Sequence, residues 1–246
     1  MSTTSIDLQP HGGGHGHEGQ DPHFQHHFTT MEQQFDTSKI GMWLFLATEI
    51  LLFGGLFVGF GLMQGRYPRE FVEAHTYLQR SLGALNTIVL LVSSWTMVMA
   101  VHSARTNQRK KTVMFLAFTI VCACIFLGVK YFEYSAKFEE GLLPAKYYWH
   151  KENSIPACPA GPATATPTIP GCTHGYATFF AFYFMMTGLH GIHIVVGIAL
   201  LTWIMLRANK GEFSGAYYTP VDLVGLYWHI VDMIWIYLFP LYYLIS

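Results

Sequence analysis

The chain is poor in charge. Asp, Glu, Lys and Arg make up only 12% of its 246 residues, about half of the share that soluble domains carry. Hydrophobic residues reach 52% and aromatic residues 16%. This composition excludes an ordinary soluble domain and predicts an integral membrane protein. The net charge of −1 gives no sign of a nucleic-acid partner.

Apolar residues are also lacking at the start, because the first 39 residues are polar and contain no apolar core run, so we expect no signal peptide. The first apolar segment is therefore expected to act as its own insertion signal. Residues 1–38 form a Gly- and His-rich tail that we expect to be disordered and cytoplasmic. Its histidines have no fixed ligand spacing, so a solvated tail is favoured over a metal site. They are His11, His15, His17, His23, His26 and His27.

Long apolar runs are abundant in the remaining chain, 39–246. A spanning helix needs about 20 mostly apolar residues, and five segments meet that requirement. The runs are continuous and do not alternate at period two, which indicates helices and not a β-barrel. The sequence therefore predicts an all-α polytopic bundle of five transmembrane helices, at about 40–63, 82–101, 112–134, 176–206 and 222–245.

Basic residues in short loops predict the orientation of the bundle. The loop after the second segment carries Arg105, Arg109, Lys110 and Lys111, and the loop after the fourth carries Arg207 and Lys210. We therefore place the N-terminus in the cytoplasm and the C-terminus outside. Residues 64–81 become a short external loop, and residues 135–175 a long external loop without an evident element.

Cysteine is scarce, with four residues in the chain. Cys158 and Cys172 both fall on the predicted outer side, where disulfides persist. A disulfide between them is expected, with two free thiols as the alternative. Cys122 and Cys124 lie two apart on a helix, so they point to different faces and cannot chelate together. We interpret them as core thiols.

Ionisable residues inside a membrane are costly and face protein or water. At about 1.5 Å of rise per residue, four of them fall near a common depth: Glu49, His193, His229 and Asp232. These positions predict one buried polar cluster between the first, fourth and fifth segments. Lys130 and Glu133 lie near the outer end of the third segment, too far along the axis to join it.

The stretch "TGLHGIHIVVG" adds local detail. His190 and His193 are three residues apart, so we expect them to share a helix face; His229 and Asp232 have the same spacing. Gly188 and Gly191 are expected to let a neighbouring helix approach closely. Three interpretations compete, in decreasing order of preference. The residues hold helices together, they modulate function through lipid contact or proton buffering, or they bind haem or metal.

Several segments together resemble subunit III of the haem–copper terminal oxidases of the cytochrome c oxidase type. "KIGMWLFLATEILLFGGLF" is similar to the family helix with a buried glutamate, here Glu49. "YFEY" matches the family Glu-Tyr pair, here Glu133 and Tyr134. "TFFAFYFMMTGLHGIHIVVG" is similar to the most diagnostic stretch, and "YWHIVDMIWIYLFPLYY" resembles the terminal helix. The resemblance covers about residues 39–245.

The resemblance implies a non-catalytic subunit, so no catalytic residue and no metal ligand is assigned. Haem and copper are expected in partner subunits I and II, and phospholipid on this chain. The implied role is to stabilise subunit I and to support proton uptake during oxygen reduction. The implied setting is a bacterial inner membrane, with a small subunit IV or a respiratory supercomplex as further partners. Glu49 is the residue most expected to carry a role, paired with His190 or His193.

The chain departs from the longer family form, which has seven helices, because it lacks the first two. The five-helix subunit III of quinol oxidases is therefore the nearest alternative, although Glu49, where that type has Asp, favours the cytochrome c type. A different class also stays open, a haem-binding membrane redox protein using His193 and His229. A transporter is not supported, because the segments show no paired repeat.

Overall fold

The computed structural model describes residues 30–139, 172–214 and 217–244, and within these ranges the chain forms helices and no β-strand. Five helices are long and apolar enough to cross a membrane, which confirms the all-α polytopic prediction. The elements in chain order are α1 (Met31–Arg66), α2 (Pro68–Ala74), a 3₁₀ turn (His75–Tyr77), α3 (Arg80–Arg105), α4 (Arg109–Glu139), α5 (Cys172–Lys210) and α6 (Thr219–Tyr243).

The spanning helices are longer than their apolar segments. Helix α1 starts at Met31, where the Thr30 side chain accepts a hydrogen bond from the Gln33 backbone amide at 3.1 Å. The prediction of a polar tail over 1–38 is therefore wrong for residues 31–38, which are helical. Apolar content marks only the part of a helix inside hydrocarbon, whereas capping and backbone hydrogen bonds extend it into the interface.

The predicted external loops contain more structure than expected. Residues 64–81 are not a plain loop, because α1 continues to Arg66 and Pro68 then starts α2, as its fixed φ favours. Helix α2 packs on the start of α5, where the Tyr176 hydroxyl donates to Glu73. In the long loop, residues 135–139 still belong to α4 and residues 172–175 already belong to α5. Residues 140–171 lie outside the described ranges.

Helix α6 lies at the centre of the bundle, packed against α1, α3 and α5. Two buried tryptophans of α6 hydrogen-bond to α3. The Trp228 indole donates to Ser93 Oγ at 2.8 Å, and the Trp235 indole donates to Thr87 Oγ1 at 3.1 Å. Because each indole N–H would be unpaired in an apolar interior, these bonds fix the register of α6 against α3.

Close packing between α5 and α6 depends on one glycine. A Cβ on Gly197 would lie 2.6 Å from the Trp228 ring, closer than real contacts allow. The indole therefore occupies the space that a side chain at residue 197 would need. Of the two cysteines interpreted as core thiols, Cys122 is buried, but Cys124 is exposed on the outer surface of α4. The interpretation is wrong for Cys124, because its helix position faces away from the bundle.

The end of the bundle at the α3–α4 turn carries an ionic junction. Asp222 at the start of α6 lies 3.3 Å from Lys39 of α1 and 3.2 Å from Arg105 of α3. The Arg105 guanidinium also stacks on the Tyr218 ring at 4.8 Å. One carboxylate thus links three helices at the predicted cytoplasmic end.

Candidate functional site

Glu49 of α1 and His193 of α5 meet at a helix contact. His193 Nε2 lies 2.8 Å from Glu49 Oε2, and each side chain is only 15% exposed. The Phe53 ring packs edge-on against the imidazole at 5.5 Å. Of the two histidines expected to pair with Glu49, the structure selects His193. The pair lies beneath an apolar surface, where neither group is free to reorganise with bulk water.

The second ring nitrogen of His193 determines how many protons the Glu49–His193 pair holds. Nδ1 lies 2.8 Å from the backbone carbonyl of Leu189. A carbonyl only accepts, so Nδ1 carries a hydrogen and donates it. One proton then remains for the Nε2–Oε2 contact. The pair is either an imidazolium beside a carboxylate or a neutral imidazole accepting from a protonated acid, so it stores one proton in both forms.

Tyr227 of α6 supports the backbone around the pair by donating to the carbonyl of His193 at 3.0 Å. The imidazole and Tyr227 line an open apolar groove of about 310 Å³. Its other lining residues are Met42, Phe45, Ile192, Val196, Leu200, Leu223 and Val224. The groove gives the imidazole one face towards the exterior of the bundle, and its lining fits an apolar chain such as a lipid tail.

His190 does not share the surroundings of His193. Its ring is fully buried, packed edge-on against Phe126 of α4 and 5.4 Å from the Trp235 ring of α6. Neither ring nitrogen has a hydrogen-bond partner among the described residues. The expected common face is wrong, because a spacing of three turns the two side chains about 60° apart. That angle directs one ring to α1 and the other between α4 and α6.

His229 and Asp232 also stay apart from the Glu49 pair. His229 Nδ1 lies 2.7 Å from Ser94 Oγ of α3. Asp232 is buried, and neither of its oxygens hydrogen-bonds to a described residue. The prediction of one polar cluster is therefore wrong. His229 and Asp232 lie near the depth of Glu49, but their side chains point from α6 towards α3 and not towards α1. Depth in the membrane alone does not predict that direction.

Glu133 and Tyr134 belong to a separate group near the outer end of α4. The Lys130 ammonium donates to Glu133 Oε2 at 2.7 Å and to the Tyr243 hydroxyl at 2.9 Å. The same ammonium lies 4.5 Å above the Trp235 ring. Tyr134 makes a 2.5 Å hydrogen bond with Thr187 of α5. These contacts tie α4 to α5 and α6 and, as expected, lie apart from Glu49.

Gly188 and Gly191 do not bring another helix of this chain close. A Cβ on Gly191 would meet nothing within 4 Å, and one on Gly188 would meet only the Tyr134 hydroxyl at 3.9 Å. The expectation of close approach is therefore wrong for these two positions within the described residues. They instead line an open groove of about 370 Å³ between α4 and α5. In the same stretch, Gly197 is the glycine that does lie at a helix contact, against Trp228 of α6.

Within the described residues, His190, His193 and His229 are engaged by protein groups or enclosed by aromatic rings. Both ring nitrogens of His193 are engaged, and Nδ1 of His229 is held by Ser94. His190 has free nitrogens, but its ring is enclosed by aromatic side chains. Across residues 30–139, 172–214 and 217–244, no three metal-binding side chains converge. The tail histidines and the proposed disulfide, with Cys158 and the Cys172 side chain, lie outside what the structure describes.

Three participants could not be assigned from sequence. Ser94 is a small hydroxyl residue in an apolar helix, which commonly bonds its own backbone. Tyr227 reaches a backbone carbonyl, which leaves no pattern in the sequence. Tyr243 completes the Lys130–Glu133 group. The sequence indicates Tyr243 only indirectly. Lys130 and Glu133 lie three residues apart in an apolar helix, and such a pair needs a further buried polar partner.

Comparison with known proteins places these features in a family. Residues 20–148 and 168–246 match the family described as cytochrome c oxidase subunit III. The chain is 27% identical over 224 residues to quinol oxidase subunit 3 of Bacillus spizizenii, covering 88% of this chain and 92% of the relative. It is 26% identical over 215 residues to cytochrome c oxidase subunit 3 of Thermostichus vulcanus, covering 86% and 89%.

A third relative has a different chain organisation. The heme-copper oxidase subunit I+III of Aeropyrum pernix is 26% identical over 217 residues, which cover 85% of this chain and 23% of that longer protein. The matches to both oxidase types are of similar extent, whereas the family match covers most of the chain. The chain therefore belongs to the cytochrome c oxidase subunit III family of haem–copper oxidases.

Proposed function

We propose that this chain is an accessory subunit with no catalytic site of its own, embedded beside the catalytic subunit of a terminal oxidase. Haem and copper then reside in partner subunits, which correspond to subunits I and II. The name of the fused Aeropyrum pernix relative joins subunits I and III in one protein, which supports direct contact between the two. His190, enclosed by aromatic rings, and His193, with both ring nitrogens engaged, support a role without a bound cofactor.

The observation that carries a functional role is the 2.8 Å contact between Glu49 and His193. Because Nδ1 donates to Leu189, the contact holds a single proton that can move between Nε2 and Oε2 without exposing a bare charge to lipid. We assign this pair a modulatory role, in which it keeps one proton at an apolar groove and supports proton uptake by the complex. The groove beside it is assigned to phospholipid.

The electron donor divides the family into two types. Glu49 favours the cytochrome c type, whereas the Bacillus spizizenii relative is named a quinol oxidase subunit. The assay is oxygen consumption by the purified complex with reduced cytochrome c or with a reduced quinol as the sole donor. Rapid oxidation of cytochrome c assigns the first type, and oxidation of quinol alone assigns the second.

The proposed location is a bacterial inner membrane with the N-terminus in the cytoplasm. The basic residues around the α3–α4 turn and in the last turn of α5 lie at the same end as the Lys39–Asp222 contact. Attaching a cysteine-reactive, membrane-impermeant label to an engineered Asn107→Cys, in a variant without the four native cysteines, tests this placement. Labelling in inverted vesicles and not in intact cells supports the orientation, and the reverse pattern contradicts it.

Purification of the native complex, with and without this chain, tests the accessory role. The complex without the chain is expected to keep its haem spectrum and to reduce oxygen, but to lose activity earlier during turnover. A pyridine haemochrome assay on the isolated chain provides the second test. Stoichiometric haem in that sample would overturn the proposal in favour of a membrane redox protein.

A further inference from the structure

One face of the central helix α6 is left uncovered by the described residues. His229, Met233, Ile236 and Tyr237 are spaced at i, i+4, i+7 and i+8, which places them on one side of the helix. Met233 is 50%, Ile236 42% and Tyr237 63% exposed. We name these four residues the α6 strip. Exposed apolar side chains alone are accounted for by lipid, so the polar member of the strip, His229, is the residue that needs an explanation.

The neighbouring helices leave the strip open. Helices α1 and α3 both pack on α6, yet no described residue of one comes within 8 Å, Cα to Cα, of the other. They are joined at one end by α2 and the 3₁₀ turn, and at the other end by Asp222, which contacts both Lys39 and Arg105. Below that junction, α1 and α3 form the two sides of a channel-like surface, and the α6 strip forms its floor.

A polar group lies in the middle of this surface. His229 is half-buried, and its Nδ1 lies 2.7 Å from Ser94 Oγ on the α3 side. Nε2 makes no hydrogen bond within residues 30–139, 172–214 and 217–244, and it is not among the fully enclosed atoms. An imidazole nitrogen at the surface of a bundle must find a hydrogen-bonding partner, or it costs free energy in lipid.

The depth of His229 decides which partner is available. It is two residues from Val231, the midpoint of α6 (Thr219–Tyr243), which is about 3 Å along the axis. The hydrocarbon core is about 30 Å thick, so phosphate and ester groups lie about 12 Å or more away. Lipid tails offer no hydrogen bond. A protein side chain is the partner that reaches this depth.

We propose that the α6 strip, between α1 and α3, is the docking surface for one transmembrane helix of another subunit, which presents a hydrogen-bonding side chain to His229 at mid-membrane. Apolar residues of that helix pack on Met233, Ile236 and Tyr237, and its polar side chain satisfies Nε2. The inference rests on the proposed function only in requiring that the chain works within a complex.

Photo-cross-linking in the purified complex tests the surface directly. Met233→p-benzoylphenylalanine places the reactive group on the strip, and Leu51→p-benzoylphenylalanine is the control, because Leu51 is 75% exposed on α1. We expect Met233 to cross-link to an apolar span of another subunit that carries a polar residue within one turn of the linked position. Cross-links to lipid only, to a second copy of this chain, or to a span without a polar residue would overturn the proposal.

A second variant tests the role of the imidazole. His229→Leu is expected to reduce the Met233 cross-link about threefold to tenfold, as estimated for loss of one interhelical hydrogen bond in a membrane. His102→Leu is the matched control, because His102 is exposed near the end of α3. An unchanged cross-link in His229→Leu would contradict the assigned contact. Co-purification of the haem–copper subunits is scored separately, so a complex that assembles without this contact overturns the docking surface and leaves the accessory role standing.

Discussion

His193 Nε2 lies 2.8 Å from Glu49 Oε2, across the contact between α5 and α1. Few other polar contacts hold α1 to the bundle in its apolar section. The contact shares one proton, so it requires both Glu49 and His193. The two side chains are therefore expected to have a measurable coupling energy.

A double-mutant cycle with Glu49→Leu and His193→Leu measures that coupling. We expect the two changes to be non-additive by about 0.6–1.7 kcal/mol, the range of side-chain hydrogen bonds between membrane helices. The measurement is the midpoint of unfolding of the purified complex in a strong detergent series. Additive effects would show that the two side chains do not stabilise each other. Thr48→Val, beside Glu49 on α1, is the control, because its hydroxyl bonds only its own helix.

The contact between Gly197 and Trp228 gives a packing prediction with an internal control. Gly197→Ala is expected to destabilise the chain by about 1–3 kcal/mol, because the new methyl group would overlap the indole. Gly191→Ala, six residues earlier on the same helix, is expected to be neutral, because nothing lies within 4 Å of its Cβ position. The thermal unfolding temperatures of the two variants test whether Gly197, and not Gly191, lies at the close contact with α6. Equal effects would mean that α5 and α6 are not in this register.

The buried Lys130–Glu133 pair predicts an asymmetry between single and double variants. Lys130→Met is expected to cost about 3–5 kcal/mol, because it leaves Glu133 buried beside Tyr243 without its cation. Adding Glu133→Leu is expected to recover much of the loss, since the uncompensated carboxylate is then gone. Protein yield and unfolding midpoint are the measurements. A double variant less stable than Lys130→Met would indicate that the pair itself stabilises the fold.

The Asp222 junction is expected to hold the first turns of α1. Asp222→Asn removes the charge that faces Lys39 and Arg105, at a cost of about 1 kcal/mol or less for these partly exposed pairs. Hydrogen exchange over residues 31–39 is expected to become faster, and high salt should produce the same change in the unaltered chain. Glu139→Gln, an exposed carboxylate at the far end of α4, is the control. Unchanged exchange in Asp222→Asn would mean that helix capping alone orders this segment.

The fold was predictable because a chain in the hydrocarbon core of a membrane must satisfy its backbone hydrogen bonds internally. Five apolar runs gave five spanning helices, since backbone groups in lipid must bond within the segment. The helix ends were not predictable from hydropathy, and Met31 shows why. The residues around it are polar, but Thr30 caps the helix and Asp222 binds Lys39 further along.

The candidate site was predictable only in part. Depth and charge singled out Glu49 and placed two histidines within its reach, but they did not distinguish His190 from His193. That choice depends on rotation about the helix axis, which the packing of α5 against α6 determines. The expectation that Asp232 and His229 join the same cluster fails for the same reason. The sequence indicates how deep a residue lies in the membrane, but not the direction of its side chain around the helix axis.

The most direct test of the central claim is the rate of proton uptake during an oxygen pulse, followed with a pH indicator in the purified complex. Glu49→Gln keeps the size and hydrogen-bonding capacity of the side chain but removes its ability to hold the shared proton. We expect slower uptake and earlier inactivation in Glu49→Gln, with normal haem content and normal uptake in Thr48→Val. Uptake in Glu49→Gln at the rate of the unaltered complex would contradict the assigned role of the Glu49–His193 pair.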